Sequence, residues 1–254
     1  MTVGAITVEA VSKRFRLERN RPSSLKEAIL RMGRSRDTDE FWALRDVSLK
    51  IRTGSSFGLI GHNGSGKSTL LRLMAGIHRP TLGSVETTGR LSALLELGSG
   101  FHPDLTGREN VYLNGAMLGF TRRQMAASME EIIEFSGIRD FVDEPVKIYS
   151  TGMYVRLGFA VAVNINPDIL LVDEVVAVGD EEFQRKCVAH MDLLRDNGTT
   201  IVMVSHSTDL MAECDKVGWL DHGRLMRVGA PDDVVSEYLA NVDSNDKTLQ
   251  AHHD

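Results

Sequence analysis

Residues 61–69, Gly-His-Asn-Gly-Ser-Gly-Lys-Ser-Thr, constrain the fold of this chain more than any other stretch. A mostly apolar run at residues 57–60 precedes them, and apolar residues with helical spacing follow at residues 70–74. A glycine-rich loop between a strand and a helix, with Lys-Ser after its last glycine, is the pattern of a phosphate-binding loop. Its glycines let backbone N–H groups point inward, and the positive end of the helix dipole adds to them. The stretch therefore predicts a strand, loop and helix that bind a polyphosphate.

The same loop assigns roles to individual side chains. We expect Lys67 to reach the β- and γ-phosphates of a nucleotide and the Ser68 hydroxyl to hold Mg²⁺. The alternative is a glycine-rich turn with a surface lysine, which does not explain why every fixed position and both flanks match the pattern. The residues predicted to contact the nucleotide here are His62, Asn63, Gly64, Ser65, Gly66, Lys67, Ser68 and Thr69.

Length, charge and cysteine content limit the class of protein. With 254 residues, the chain can hold one large core but not two nucleotide-binding domains in tandem. Its net charge of −6 argues against general affinity for nucleic acid, which normally requires a basic excess. Two cysteines form no disulfide framework and favour a reducing compartment. No apolar run approaches the roughly 18 residues that span a bilayer, so we expect any membrane role to come through a partner.

Two further apolar runs end close to residues that suit phosphate chemistry. The run at residues 169–172 leads into Asp173 and Glu174, and a second run, at residues 201–204, ends two residues before His206. Continuous apolar runs are typical of parallel strands buried on both faces, and ligands bind at the carboxyl ends of such strands. We therefore expect Asp173 to hold Mg²⁺, Glu174 to orient and deprotonate the attacking water, and His206 to contact the γ-phosphate.

A second anion-binding device follows later in the chain. Tyr-Ser-Thr-Gly-Met at residues 149–153 precedes an apolar helical pattern, and a Ser-x-Gly loop at a helix N-terminus can bind an anion. The chain has only one phosphate loop for it to serve, so the simplest ligand is the ATP of a partner subunit. The order of these elements, with Asp-Glu and Ser-His at the strand ends and Gly-Asp at residues 179–180, resembles the nucleotide-binding subunit of an ABC transporter.

This resemblance covers residues 5–238 and implies a fold. The fold class is α/β, a P-loop NTPase (RecA-like) with a mostly parallel sheet core, an N-terminal antiparallel β subdomain and an ABC-type helical subdomain at about residues 100–162. All of these belong to one ABC ATPase domain at residues 1–240. The resemblance also implies ATP and Mg²⁺ as cofactors.

The resemblance further implies a head-to-tail homodimer. Each ATP would lie between the phosphate loop of one chain and the Ser150 and Gly152 loop of the other, and Asp180 would act across the interface. An aromatic side chain would stack on adenine. Phe15, in Val-Ser-Lys-Arg-Phe, matches that aromatic best, and the insertion after it leaves two neighbouring aromatics as alternatives, Phe41 and Trp42.

Three segments are similar to a narrower group, the ATPase subunits of polysaccharide and teichoic-acid exporters of the Wzm–Wzt type. They are residues 94–110, 149–153 and 173–180. This group implies a polytopic transmembrane permease as partner, a position at the cytoplasmic face of the inner (plasma) membrane, and a lipid-linked glycan (galactan, O-antigen or teichoic acid) as substrate. Some members carry a C-terminal carbohydrate-binding domain, which we do not expect here. Most ABC proteins also carry a glutamine that this sequence lacks, and Glu96 is the nearest acid or amide and the candidate metal ligand there.

A basic stretch in this acidic protein needs its own explanation. Residues 13–36 hold nine Lys and Arg against two Glu, an excess of seven positive charges. A short amphipathic helix is predicted inside it by the spacing of Leu25, Ala28, Ile29 and Met32. We interpret residues 16–40 as an insertion and expect residues 20–36 to lie near the lipid-linked glycan; the alternative is a solvated basic helix. At the other end, the polar and aperiodic residues 241–254 predict a disordered tail.

The predicted function is therefore ATP hydrolysis coupled to glycan export, with Glu174, His206 and Lys67 as catalytic residues. A soluble ABC ATPase acting on ribosomes or DNA is the alternative, but such proteins usually join two cassettes in one chain or insert long coiled coils. The net negative charge of the chain also disfavours binding to ribosomes or DNA. A third interpretation, a non-hydrolysing regulatory module, conflicts with the intact Lys67, Asp173, Glu174 and His206.

Overall fold

The computed structural model describes residues 2–18, 38–95, 100–173, 180–205 and 208–250. Glu96, Glu174, His206 and the basic residues 20–36 therefore lie outside the described part of the chain. The strands are β1 (Ile6–Glu18), β2 (Thr38–Ile51), β3 (Ser56–Ile60), β4 (Leu82–Thr87), β5 (Leu91–Leu94), β6 (Ile169–Asp173), β7 (Thr200–Val204), β8 (Lys216–Asp221) and β9 (Arg224–Gly229). The α-helices are α1 (Lys67–Met74), α2 (Gly107–Met117), α3 (Arg122–Ser136), α4 (Thr151–Asn164), α5 (Glu181–Asp196), α6 (Thr208–Ala212) and α7 (Pro231–Gln250).

The described strands form two sheets. The larger has the strand order β5-β6-β7-β3-β8-β9, and all its pairs are parallel except β8 with β9. The smaller is antiparallel, with the order β2-β1-β4. The predicted combination of a mostly parallel core with an N-terminal antiparallel subdomain is confirmed.

The central strands are apolar on both faces because other elements cover both sides of the parallel sheet. Every residue of β3 is buried, and so are residues 169–172 of β6. Burying one Leu, Ile or Val side chain stabilises a fold by about 1.5–3 kcal/mol. The buried side chains of these two strands therefore contribute strongly to the stability of the sheet. The apolar runs at residues 169–172 and 201–204 form parallel strands, as predicted, and the two strands are neighbours in the sheet.

Helices α2, α3 and α4 pack together beside the large sheet. Thr106 and Thr121 each close a capping box at the start of α2 and α3, and Gly137 ends α3 in the left-handed conformation. One face of α3 is buried in the core, and it includes Met125, Met129, Ile132 and Ile133. None of the helices in the described ranges is long and apolar enough to cross a bilayer.

The C-terminal helix corrects the prediction of disorder for residues 241–250, whereas residues 251–254 lie outside the described part of the chain. Helix α7 continues to Gln250. It is anchored near its start, where Val234 is fully buried and the Tyr238 ring packs edge-to-face on Trp219 with centroids 6.0 Å apart. Extending a helix that is already formed costs far less than starting one, so the polar residues beyond 240 continue it.

Candidate nucleotide-binding site

The phosphate loop runs from the end of β3 to the start of α1, as predicted. Gly61 has φ 151°, and a Cβ there would overlap the carbonyl group of Leu220. Gly66 has φ 109°, and a Cβ there would lie 2.7 Å from the Ala43 carbonyl oxygen. Gly64 also has a positive φ, 81°, but no atom lies within 4 Å of its Cβ position. Two glycines thus let neighbouring strands close on the loop, and the third leaves an open face.

Lys67 is the first residue of α1, directly after the loop, and is only 5% exposed. Its Nζ donates hydrogen bonds to the carbonyl oxygens of Gly61 (2.7 Å) and His62 (3.0 Å). The N-cap residue of α1 is Gly66, which has no side chain. No capping side chain therefore accepts hydrogen bonds from the N–H groups of the first turn. A buried ammonium group and a helix N-terminus at one point attract an anion.

The Ser65 side chain tests whether this loop fits a phosphate group. It is fully buried, and its Oγ has no hydrogen-bond partner among the described residues, although buried hydroxyls are nearly always paired. Its backbone is held firmly, since its N–H donates to the His62 carbonyl and its carbonyl accepts from the Gly223 N–H. The unpaired hydroxyl, the open face at Gly64 and the ammonium group of Lys67 together fit a phosphate.

Asp173 ends β6 and is half-buried. It is paired in register with Val204 of β7, and Val204 is paired with Leu59 of β3. Neighbouring strands lie about 4.8 Å apart, so Asp173 is about 10 Å across the sheet from Leu59, level with the strand end that leads into the phosphate loop. The two described metal-ligand candidates, Asp173 and Ser68, therefore belong to the same edge of the sheet.

The three remaining candidates, Glu174, His206 and Glu96, lie outside the described residues. Glu174 directly follows β6, and His206 follows Ser205 after β7. Their catalytic and metal-binding roles stay predictions.

The aromatic candidates for adenine binding all lie on the β1–β2 pair. Phe15 is paired in register with Phe41, and its ring contacts that of His78 with centroids 5.8 Å apart. The guanidinium of Arg14 lies over the Trp42 ring, 5.4 Å from its centroid. All three aromatics share one antiparallel ribbon, so the assignment of adenine stacking to Phe15 stays a prediction.

The second anion-binding loop begins α4. Ser150 caps the helix, and its hydroxyl accepts a hydrogen bond from the Met153 N–H at 3.2 Å. Gly152 is exposed, and a Cβ there would meet only the Ser150 Oγ, at 3.8 Å. The described part of the chain therefore has room for a side chain at position 152. Helix α4 packs against α2, α3, α5 and β5, whereas α1, which carries the phosphate loop, packs against β2, β4 and β6.

Asp180 links two helices within the chain. Its carboxylate caps α5 by accepting from the Phe183 N–H (2.9 Å), and it pairs with Arg156 of α4 (2.6 Å). The hydrogen bond from Phe183, followed by the charge of Arg156, lowers the pKa of the Asp180 carboxyl group. This link ties the helix of the Ser150 loop to the start of α5. The sequence does not predict it, and the predicted role of Asp180 across a dimer interface stays a prediction.

The turn between β8 and β9 touches the phosphate loop, which the sequence does not indicate. His222 and Gly223 have φ 43° and 78°, the pattern of a type I′ hairpin turn. Gly223 donates its N–H to the Ser65 carbonyl at 2.9 Å, and Asp221 Oδ1 lies 3.1 Å from His62 Nε2. A His-Gly pair between two strand-like runs could have indicated the turn, but not its contact with a loop so far away in the sequence.

Comparison with known proteins decides the class. The sequence profile of the ABC transporter family matches residues 44–177. The chain belongs to the ABC transporter family. It is 43% identical to the O-antigen export system ATP-binding protein RfbB of Klebsiella pneumoniae, over 92% of this chain and 96% of that protein. It is 48% identical to RfbB of Myxococcus xanthus, over 93% of this chain but 56% of that protein. It is also 42% identical to the teichoic acids export ATP-binding protein TagH of Levilactobacillus brevis, over 92% of this chain and 64% of that protein.

Solved structures confirm the fold class. An ATP-binding cassette solved as a dimer in a post-hydrolysis state with ADP and phosphate superposes with a TM-score of 0.71 at 20% identity, over 89% of this chain and 98% of that chain. The ATP-binding subunit of an ABC transporter superposes with a TM-score of 0.72 at 19% identity, over 92% of each chain. The family makes this chain an ABC ATPase, and its relatives belong to the polysaccharide-export and teichoic-acid-export subunits, as the sequence motifs predict.

Proposed function

We propose that this chain hydrolyses ATP to power export of a lipid-linked polysaccharide, in complex with a transmembrane permease at the cytoplasmic face of the inner (plasma) membrane. The observation that carries the proposal is the 43% identity to an O-antigen export subunit, which extends over 92% of this chain and 96% of that protein. Subunits named for teichoic-acid export are nearly as similar, so the proposal names a class of substrate that includes galactan, O-antigen and teichoic-acid-like chains. None of these relatives favours an ATPase that acts on ribosomes or DNA.

In this proposal the phosphate loop binds the triphosphate of ATP. Lys67 exchanges its carbonyl partners in the loop for phosphate oxygens, because a phosphate oxygen carries negative charge and a carbonyl oxygen does not. The N–H groups at the start of α1 bind the same phosphates. Ser68 and Asp173 would hold Mg²⁺, with Glu96 as the further predicted ligand, and the ion would neutralise charge on the phosphates.

Glu174 is the proposed general base, and His206 is the proposed contact to the γ-phosphate. Support comes from the strands that precede them, because β6 and β7 are neighbours whose ends lie level with the end of β3. Successive residues at a strand end point in different directions. Glu174 can therefore accept a proton from water while Asp173 holds the metal.

Two chains are proposed to share each ATP as a homodimer. Gly152 supports this, since the chain's own packing leaves room for a side chain at that exposed position. A glycine there instead suits close approach of a ligand from outside the chain. Ser150 at the same helix N-terminus would bind the partner's phosphate, and Asp180 would contact the partner. The ATP-binding cassette of similar fold was itself solved as a dimer.

The basic residues 20–36 are proposed to meet the glycan lipid. The β1–β2 pair supports a local role for this segment. Glu18, the last residue of β1, is paired with Thr38, the first residue of β2, so the chain leaves and re-enters the ribbon at the same end. Surface charges are screened beyond about 8–10 Å, so this basic segment acts only on groups close to it. An anionic pyrophosphate on the substrate lipid, or the acidic inner leaflet, is the chemistry that it suits.

The base assignment is tested with Glu174→Gln. The amide keeps the shape of the side chain but cannot accept the proton, so we expect ATP turnover to fall about 10²- to 10⁴-fold while ATP affinity is retained. Steady-state phosphate release and nucleotide binding by the purified chain measure the two effects. Turnover within about twofold of wild type would remove Glu174 from the mechanism.

The substrate-side role is tested by replacing residues 20–36 with a short Gly/Ser linker. We expect ATP binding and ATPase activity to persist, while lipid-linked glycan accumulates inside cells that depend on the variant. The glycan that accumulates also identifies the substrate. If the linker variant exports glycan normally, residues 20–36 form only a solvated basic segment.

A further inference from the structure

Two histidines and one aspartate meet beside the phosphate loop. They are His62 of the loop, and Asp221 and His222 of the β8–β9 turn. One ligand atom from each residue can be chosen so that all three lie within 4.8 Å of one another. His62 is also one of the loop residues predicted to contact the nucleotide, whereas Asp221 and His222 have no assigned role in the nucleotide chemistry.

The hydrogen bonding of His62 determines which of its nitrogens is available. Its Nδ1 lies 2.7 Å from the Asn63 carbonyl oxygen. A carbonyl oxygen only accepts, so Nδ1 carries the proton and Nε2 of the neutral ring carries a lone pair. That Nε2 atom is buried and has no hydrogen-bond partner among the described residues.

A carboxylate oxygen faces this lone pair. Asp221 Oδ1 lies 3.1 Å from His62 Nε2, without hydrogen-bond alignment. Two acceptors at this distance repel each other unless a cation lies between them. A metal ion with bonds of about 2.1 Å in tetrahedral geometry would hold its ligand atoms about 3.4 Å apart, close to the observed spacing.

His222 supplies a third donor. Its Nε2 lies 4.0 Å from the same Asp221 oxygen, and its ring centroid lies 4.7 Å from that of His62. The His222 side chain is 82% exposed, so it can rotate to close the remaining distance. Its backbone has φ 43°, in the left-handed region where Asn, Asp and His occur more often than other non-glycine residues.

We propose that His62, Asp221 and His222 bind a divalent transition-metal cation of the Zn²⁺ class, separate from the Mg²⁺ of the nucleotide site. Two imidazole nitrogens and one carboxylate suit Zn²⁺, Co²⁺ or Ni²⁺, whereas Mg²⁺ prefers oxygen ligands alone. The fourth position is open to water. The Asn63 carbonyl holds the Nδ1 proton of His62, the usual outer-shell arrangement of a metal-binding histidine. The ion would join the phosphate loop to the β8–β9 turn, which the Gly223 to Ser65 hydrogen bond already connects.

The test is a titration of the untagged full chain with ZnCl₂ by calorimetry, and with CoCl₂ by visible absorption. The chain carries His252→Ala and His253→Ala, so that the histidine pair near the C-terminus cannot contribute. We expect one equivalent of Zn²⁺ to bind, an excess of MgCl₂ not to displace it, and Co²⁺ to show the absorption of a tetrahedral site.

Two variants and one control locate the site. His222→Asn removes the imidazole while keeping a residue that tolerates positive φ, and Asp221→Asn removes the charge; each should weaken Zn²⁺ binding at least tenfold. His102→Asn removes an exposed imidazole elsewhere and should leave the affinity unchanged. Absence of Zn²⁺ binding would overturn the proposal. Unchanged affinity in the folded His222→Asn variant would overturn it equally.

Discussion

Lys67 combines a full charge with almost complete burial. An ammonium group at this depth is very unfavourable unless hydrogen bonds replace its hydration. The carbonyl oxygens of Gly61 and His62 provide them, and both belong to the loop that Lys67 serves. The same bonds hold the loop in shape, so the cation lies in position before a phosphate arrives.

The two cysteines give a prediction about reactivity. Cys187 and Cys214 are both buried, and burial raises the pKa of each thiol from 9.0 to about 12. At pH 8 the thiolate fraction of each buried cysteine is about a thousandfold lower than that of an exposed cysteine. A disulfide reagent such as DTNB should therefore modify the native protein very slowly, and should modify both thiols rapidly in denaturant. Because the folded-state pKa is raised, the thiols favour the folded state below pH 9, and this contribution is lost as the pH rises toward 12. Rapid modification of either thiol in the native protein would contradict the prediction.

Single residues also show how far the sequence could be used for prediction. The phosphate loop is predictable because its own contacts are local: Lys67 binds carbonyls only five and six residues before it. The approach of Asp221 and Gly223 to the same loop depends on β8 lying next to β3, and no periodicity in the sequence indicates which strands are neighbours. The Asp180–Arg156 pair is missed for the same reason, since it joins two helices.

The β8–β9 hairpin gives a prediction for a secondary-structure element. A Cβ at Gly223, where φ is 78°, would lie 2.7 Å from the Ala43 carbonyl oxygen, whereas Gly76 has a similar φ, 71°, with no atom within 4 Å of its Cβ position. Gly76→Ala should therefore lower the free energy of unfolding by about 1 kcal/mol, the cost of the left-handed conformation alone. Gly223→Ala adds a steric clash with Ala43, so it should lower the free energy of unfolding by about 2–4 kcal/mol in total.

Chemical denaturation of both variants measures this difference. Gly223→Ala should also weaken ATP binding, because its N–H holds the Ser65 carbonyl in the phosphate loop, and Gly76→Ala should not. Equal destabilisation by the two substitutions would mean that the β8–β9 hairpin does not pack closely against the backbone of β2.

Helix α7 shows where pattern reasoning fails for an element. Residues 241–250 lack an apolar stripe, and composition alone predicts disorder for them. The anchoring contacts of this helix lie upstream, at Val234 and at Tyr238 on Trp219. Composition describes a segment by itself, whereas a helix that is nucleated elsewhere can extend into it.

The whole molecule divides its two anion-binding loops between two hydrophobic cores. The Ser150 loop begins α4, whose Leu157 and Phe159 belong to the core that the helical subdomain shares with α5 and one face of the large sheet. The phosphate loop connects β3 and α1, whose Leu59 and Leu70 belong to the core between the two sheets. Each loop is held by a different core, and in the proposed homodimer each ATP would lie between loops from different chains.

This division gives the last prediction, for mixtures of two inactive variants. Lys67→Ala disables the phosphate loop, and Ser150→Arg blocks the partner-facing loop; each alone should lose ATPase activity. In a heterodimer of the two, one composite site keeps both loops intact, so random mixing should restore about a quarter of wild-type activity. Circular dichroism checks the fold of Ser150→Arg, which loses a helix cap worth about 1 kcal/mol. Mixing Lys67→Ala with a chain that carries both substitutions leaves no intact site and should restore nothing. Normal hydrolysis by Ser150→Arg alone, at every protein concentration, would show that a single chain completes its own site.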